Sequence, residues 1–180
     1  MTISKDVLDR LYAFTGPFEG SIPHMYLDTV GKVTVGIGFM LPDVAAAQRL
    51  PFSPADQIAA DFQKVSAAPK GRVASFYKQF TRCTLPEDGL RAEFDRRVQV
   101  FALQLVNGYQ LESYPLVVQV ALLDMAYNLG AGALLSKWPS LKAACAKRDW
   151  ATAAKQCRRN GIGDKRNLAT AALFTAAIKS

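Results

Sequence analysis

Within the first forty residues three polar side chains sit where they can do chemistry: Glu19, Asp28 and Thr34. Glu19 stands beside Gly20, just past the end of a first helical segment. Asp28 lies where one extended run enters a turn, and Thr34 lies on the run that returns. On the returning run Val33, Val35, Ile37 and Phe39 alternate with Lys32, Thr34, Gly36 and Gly38, which is the period of a half-buried strand. Thr34 would then share its face with Gly36 and Gly38, leaving that face open to a ligand. Two carboxyls and a hydroxyl around an open sheet face suit hydrolysis of a glycosidic bond, in which one carboxyl protonates the leaving oxygen and the other serves the opposite side of the sugar. Acidic residues beside turns are also ordinary solvated surface, so this spacing alone leaves both readings open.

The elements that must position these groups follow from periodicity. Ser4 is a plausible N-cap, and Val7, Leu8, Leu11 and Tyr12 predict a first helix to about Thr15, stopped or kinked by Gly16-Pro17. Met25-Tyr26-Leu27 should pair with the returning strand through a turn at Asp28-Thr29-Val30-Gly31. A helix is expected after Ser53-Pro54-Ala55-Asp56, carrying Ile58, Phe62 and Val65. From Pro86, the spacing of Leu90, Phe94, Val98, Phe101 and Leu105 predicts one long amphipathic helix. Leu116 to Leu129 reads as the most buried helix, closed by Gly130. Three more helices are expected near Ser140 to Lys147, from an Asp149 cap to Arg159, and from Lys165 to Ile178. The stretch from Pro69 to Phe80 is basic and aromatic and gives no clear period. The fold class is therefore α+β and mainly helical, with one small antiparallel sheet near the N-terminus.

Composition narrows the partners. The chain has 180 residues, half of them hydrophobic, which suits a packed single domain. Its formal net charge of +7 draws it toward nucleic acid, anionic headgroups or the acidic bacterial cell wall. No recognisable reading helix accompanies it, so a nucleic-acid partner is not expected. The densest basic groups, Arg91/Arg96/Arg97 and Arg158/Arg159/Lys165/Arg166, read as solvated helix faces. The first ten residues carry Lys5, Asp6, Asp9 and Arg10 without an apolar core, so no secretory signal is read there. The apolar run from Pro115 to Met125 is broken by Gln119 and Asp124 and is too short to span a bilayer. Cys83, Cys145 and Cys157 show no metal-ligand spacing and read as core residues, with one disulfide left open. His24 reads as a surface loop residue, and Trp138 and Trp150 as packing. No metal or cofactor is expected.

The stretch Glu19-Gly20, Tyr26-Leu27-Asp28, Gly31, Thr34-Val35-Gly36-Ile37-Gly38 resembles the motif of the phage-type lysozymes, glycoside hydrolase family 24. That family has Glu-Gly, then Tyr-x-Asp, then Gly-x-x-Thr-x-Gly-x-Gly. The separations of nine from Glu19 to Asp28 and six from Asp28 to Thr34 match it. Phe39 stands where the family commonly has His. Ala121 to Gly130, ending Tyr-Asn-Leu-Gly, and Arg166-Asn167 to Leu173-Phe174 resemble segments of the family's C-terminal lobe, while residues 41 to 115 match poorly.

The resemblance implies a lysozyme-like layout with an active-site cleft between two lobes. The sheet-containing lobe would span about 16–85, a connecting helix 86–106 and a helical lobe 107–180, with helix 4–15 packed on the last. It implies a muramidase cutting the β-1,4 bond between N-acetylmuramic acid and N-acetylglucosamine with inversion. Glu19 would be the acid, Asp28 the opposing carboxylate and Thr34 a hydroxyl holding water. Gly36, Gly38, Asn128 and Arg166 would face the substrate, Arg166 matching a basic position near the catalytic glutamate. The partner would be peptidoglycan glycan strands, the protein a monomer without stable membrane insertion. It would be made in the cytoplasm and act in the periplasm, either as an endolysin released by a holin or as a toxin sent through a secretion apparatus and opposed by an immunity protein. A catalytically inactive peptidoglycan-binding protein is the alternative. Retention of Glu19, Asp28 and Thr34 together speaks against it, and against a transglycosylase that dispenses with the second carboxylate.

Overall fold

The computed structural model describes residues 2–179. They form helices α1 (Lys5–Glu19), α2 (Val44–Gln48), α3 (Ile58–Ala67), α4 (Glu87–Leu105), α5 (Leu116–Leu129), α6 (Ala131–Lys137), α7 (Pro139–Ala146), α8 (Trp150–Gln156) and α9 (Asp164–Ala176). Strands β1 (Ile22–Leu27), β2 (Val33–Gly36) and β3 (Phe39–Met40) make one antiparallel sheet in the order β1-β2-β3. The chain is thus mainly helical, with a small antiparallel sheet near the N-terminus. It divides into two compact units: residues 19–95, and residues 2–18 with 96–179.

In the first unit the sheet packs on α3, and the segment Ala74–Phe80, a 3-10 helix, lies along β1. Ser53 and Thr84 bridge two loops, and Asp61 on α3 accepts from the backbone N–H groups of Arg82 and Cys83 at 2.6 and 2.8 Å. The strand expected to run to Phe39 instead stops at Gly36. Gly36 and Gly38 adopt φ of +63° and +73°, a left-handed conformation that only glycine takes without strain, and the chain folds back so that Val35 faces Phe39 and Thr34 faces Met40. A Val-Thr-Val-Gly-Ile-Gly-Phe run alternates like a strand, but the two glycines make it a hairpin.

The second unit has a buried ionic core. Asp124, in the middle of α5, is fully buried and accepts from Thr15 Oγ1 at 3.1 Å, Arg159 Nη1 at 3.0 Å and Arg166 Nη2 at 2.7 Å. Arg166 closes a second contact through Nε at 3.3 Å, and Arg159 Nη2 donates to Thr170 at 2.6 Å. Burial pulls the Arg159 guanidinium below its ordinary value, and the charge of Asp124 acts against that pull. The reading of Arg159 and Arg166 as solvated is therefore corrected: their side chains are 0% and 7% exposed. The helix expected to reach Arg159 stops at Gln156 for the same reason. Asn167 brackets Arg159 from both sides, accepting from its N–H and donating to its carbonyl at 2.9 Å each, and this turns the side chain toward Asp124 instead of continuing the helix.

Helix α1 does not stop at Thr15 but runs through Pro17 to Glu19. Proline costs that turn one hydrogen bond. Packing offsets the loss, since Phe18 touches Phe14 at 5.6 Å between ring centroids and lies under the Arg166 guanidinium at 5.5 Å. The stop comes at Gly20, φ +72°. Helix α6, which periodicity did not predict, follows α5 after a bend of 104° at Gly130. No single helix among the described residues is long and apolar enough to cross a membrane.

Two outcomes follow from this packing. Asp124→Ala leaves two buried guanidiniums without their carboxylate and should cost about 3–5 kcal/mol, read as a lower urea midpoint. All three cysteines are buried thiols, and burial, helped by Asp61 at Cys83 and by Cys157 at Cys145, pushes Cys83 and Cys145 up to about 12. Native protein in mildly alkaline buffer should therefore react negligibly with a disulfide thiol reagent, and urea-unfolded protein should release one equivalent per cysteine.

Candidate active site

A pocket of about 570 Å³ opens in the unit of residues 19–95, and its lining includes Glu19, Tyr26, Asp28, Thr34, Gly38 and Arg72. The fold brings them together by short-range means. Tyr26 and Thr34 are direct cross-strand partners on β1 and β2, so their side chains share one face. Asp28 follows β1 by one residue. Its Oδ1 accepts from the N–H groups of Val30 and Lys32 at 3.0 and 2.8 Å, which locks the turn between the strands. Among the described residues nothing donates to Oδ2, so one carboxylate oxygen builds the turn and the other is available to the pocket.

Thr34 Oγ1 donates its proton to the Lys32 carbonyl at 3.1 Å. The hydroxyl oxygen is thereby left as an acceptor toward the pocket. Glu19, the last residue of α1, reaches over the hairpin: a Cβ placed on Gly38 would lie 3.9 Å from Glu19 Oε2. Tyr26, quoted above only as part of the Tyr-x-Asp match, has no role assigned from the sequence. Burial first, then the negative charges of Asp28 and Glu19, pushes its phenol above the ordinary value, so it stays a protonated donor beside two carboxyls. Its position two residues before Asp28 was the available signal.

The remaining expected residues have partners within their own units. Gly36 is buried, and a Cβ there would meet Leu90 Cδ2 at 2.5 Å and Phe39 at 2.8 Å. It is a packing glycine and not part of an open face. Asn128 and Arg166 belong to the unit built around Asp124, Asn128 at 3.5 Å from Arg159 Nη1 and Arg166 on Asp124 as described. His24 is not a surface loop residue: it is buried on β1, with Nε2 3.0 Å from the Ala74 carbonyl. Through that contact it fixes the 71–74 segment, which has no clear period in the sequence and whose Arg72 enters the pocket lining. No group of three or more His, Cys, Asp or Glu among the described residues is placed to hold a metal ion.

Asp28→Ala removes the acceptor of two backbone N–H groups and should lower stability by about 1–3 kcal/mol, whereas Asp28→Asn keeps an oxygen acceptor and should retain most of it. Thermal melts of the two variants check this and separate the turn-building oxygen from any chemical duty of the charge. In comparisons with known proteins, no family model and no curated protein matches the chain.

Proposed function

We propose that this protein is a lysozyme-like muramidase, an inverting glycoside hydrolase that cuts the β-1,4 link between N-acetylmuramic acid and N-acetylglucosamine. The observation that carries the reading is the convergence of Glu19, Asp28 and Thr34 on one pocket. Those are the residues that the resemblance to the phage-type lysozymes singles out.

Each group has a form suited to its role. Glu19 is the acid: its carboxyl protonates the glycosidic oxygen as the bond to the anomeric carbon breaks. A water attacks from the opposite face of the ring. Asp28 Oδ2 takes a proton from it, and the Thr34 oxygen, its own proton committed to Lys32, accepts the other as an orienting hydrogen bond. Glu19 ends the cycle deprotonated and Asp28 protonated, and exchange with solvent restores both. The developing positive charge on the sugar is stabilised by the Asp28 carboxylate, and the protonated Tyr26 phenol adds a donor for a sugar hydroxyl or carbonyl.

The proposal includes a lysozyme-like fold, a peptidoglycan partner and action on the cell wall, in phage lysis or in killing between bacteria. The net charge of +7 fits a wall rich in acidic polymers, to which it would steer the enzyme.

Purified wild type should clear a suspension of permeabilised Gram-negative cells and release new reducing ends from isolated peptidoglycan. Glu19→Gln should melt as wild type does and lose at least about 100-fold in rate, the scale of a general acid. Reducing ends released equally by both proteins would remove Glu19 from the role. No release by wild type would overturn the muramidase reading.

A further inference from the structure

The pocket carries one cationic side chain among its described lining residues, Arg72, and the mechanism above does not use it. Its surroundings hold it in place. The segment around it is pinned on both sides: Tyr77 O–H donates to the Pro69 carbonyl at 2.8 Å, and His24 Nε2 lies 3.0 Å from the Ala74 carbonyl. The Phe76 N–H donates to the Val73 carbonyl at 2.9 Å, and Gly71 turns the chain with φ +72°. The Arg72 guanidinium lies over the Phe76 ring, 5.7 Å from its centroid. That contact uses none of the guanidinium's N–H groups, a rigid fork that matches a carboxylate. Among the described residues Arg72 has no carboxylate partner and donates no hydrogen bond, although it is exposed on the pocket wall. The Asp28 carboxylate, which the mechanism uses ionised, lines the same pocket and would repel an anionic substrate. A fixed cation in that lining is what lets such a substrate enter.

We propose that Arg72 is a specificity-determining residue that binds a carboxylate carried by the glycan strand. The inference rests on the muramidase reading and goes beyond it, by naming the substrate group that decides which strands bind. That carboxylate has two sources: the lactyl group of N-acetylmuramic acid where the peptide has been removed, or the stem peptide where it is still attached. Arg72 takes no part in bond breaking. Its contribution is to affinity, and so to KM and not to kcat.

The test uses the full chain, as wild type, Arg72→Gln and Arg72→Lys, on peptide-stripped strands, peptide-bearing strands, and each of these with its carboxyls capped as neutral amides. Capping and Arg72→Gln should each raise KM about tenfold, the worth of a charge-assisted hydrogen bond, with kcat and melting temperature unchanged. Together they should do no more than either alone, because they remove the same contact. Arg72→Lys should recover part of the loss, since it keeps the charge without the fork. Non-additivity on stripped strands identifies the lactyl carboxylate; non-additivity on peptide-bearing strands only identifies the stem peptide. Effects that multiply on both strands, or an Arg72→Gln that matches wild type throughout, overturn the assignment while leaving the muramidase standing. A wild type that cleaves none of the strands overturns both.

Discussion

The carboxylate of Asp124 ties together α1, α5, α9 and the loop after α8. Helix α5 carries it fully buried, where an ionised group without partners would be prohibitively costly. Four residues from three separate stretches of chain answer it: Thr15 from α1, Arg159 from the loop after α8, and Arg166 and Thr170 from α9. Each donor must be at a fixed distance and angle, so the network sets where α1, α8 and α9 sit on α5 more tightly than apolar packing would. It also spends a side-chain amide, Asn167, on holding the Arg159 backbone out of helix. Such a network is a weak source of net stability relative to a well-packed apolar core, because all its charges must be desolvated. Its effect is on uniqueness: an alternative packing of these helices strands a charge.

The sheet-containing unit relies on a different device, the satisfaction of half of each functional group by the backbone. Asp28 gives one oxygen to the turn, and Thr34 gives its proton to Lys32. These bonds fix the side chains in one orientation and leave defined acceptors toward the pocket. A group held in this way needs little reorganisation when a substrate arrives, which is how electrostatic preorganisation contributes to rate. The tight hairpin at Gly36 to Gly38 serves the same end from below. Gly36 seats Leu90 and Phe39 against the sheet, and Gly38 lets the Glu19 carboxyl lie over the turn.

Residues far from the pocket in sequence complete it. The 69–74 segment is held by His24 and Tyr77, so a histidine and a tyrosine with no chemical role of their own determine where Arg72 stands. The proposed muramidase would therefore draw its chemistry from the N-terminal hairpin and its selectivity from a later loop. Loops carried on a rigid support are where binding preferences diverge, because they change without disturbing the core.

Periodicity made much of the architecture legible. The long helices α4, α5 and α9 and the β1–β2 pairing lie close to where apolar spacing puts them, because a helix that must bury one stripe or a strand that must bury one face records that need in its own residues. Glu19, Asp28 and Thr34 were picked out as a set by the resemblance, their spacing alone leaving both readings open, and all three line one pocket. What the sequence left undecided depended on partners distant along the chain. Pro17 reads as a stop, yet α1 passes through it because Phe18 packs on Phe14 and Arg166. Arg159 and Arg166 read as solvated charge, yet Asp124, thirty-five and forty-two residues away, buries them. Arg72 was indistinguishable from any other surface arginine until the contacts of Pro69 with Tyr77 and of Ala74 with His24 put it on the pocket wall. Local pattern determines which element forms; which polar side chain is buried, and against what, is a long-range electrostatic choice that only the tertiary structure makes.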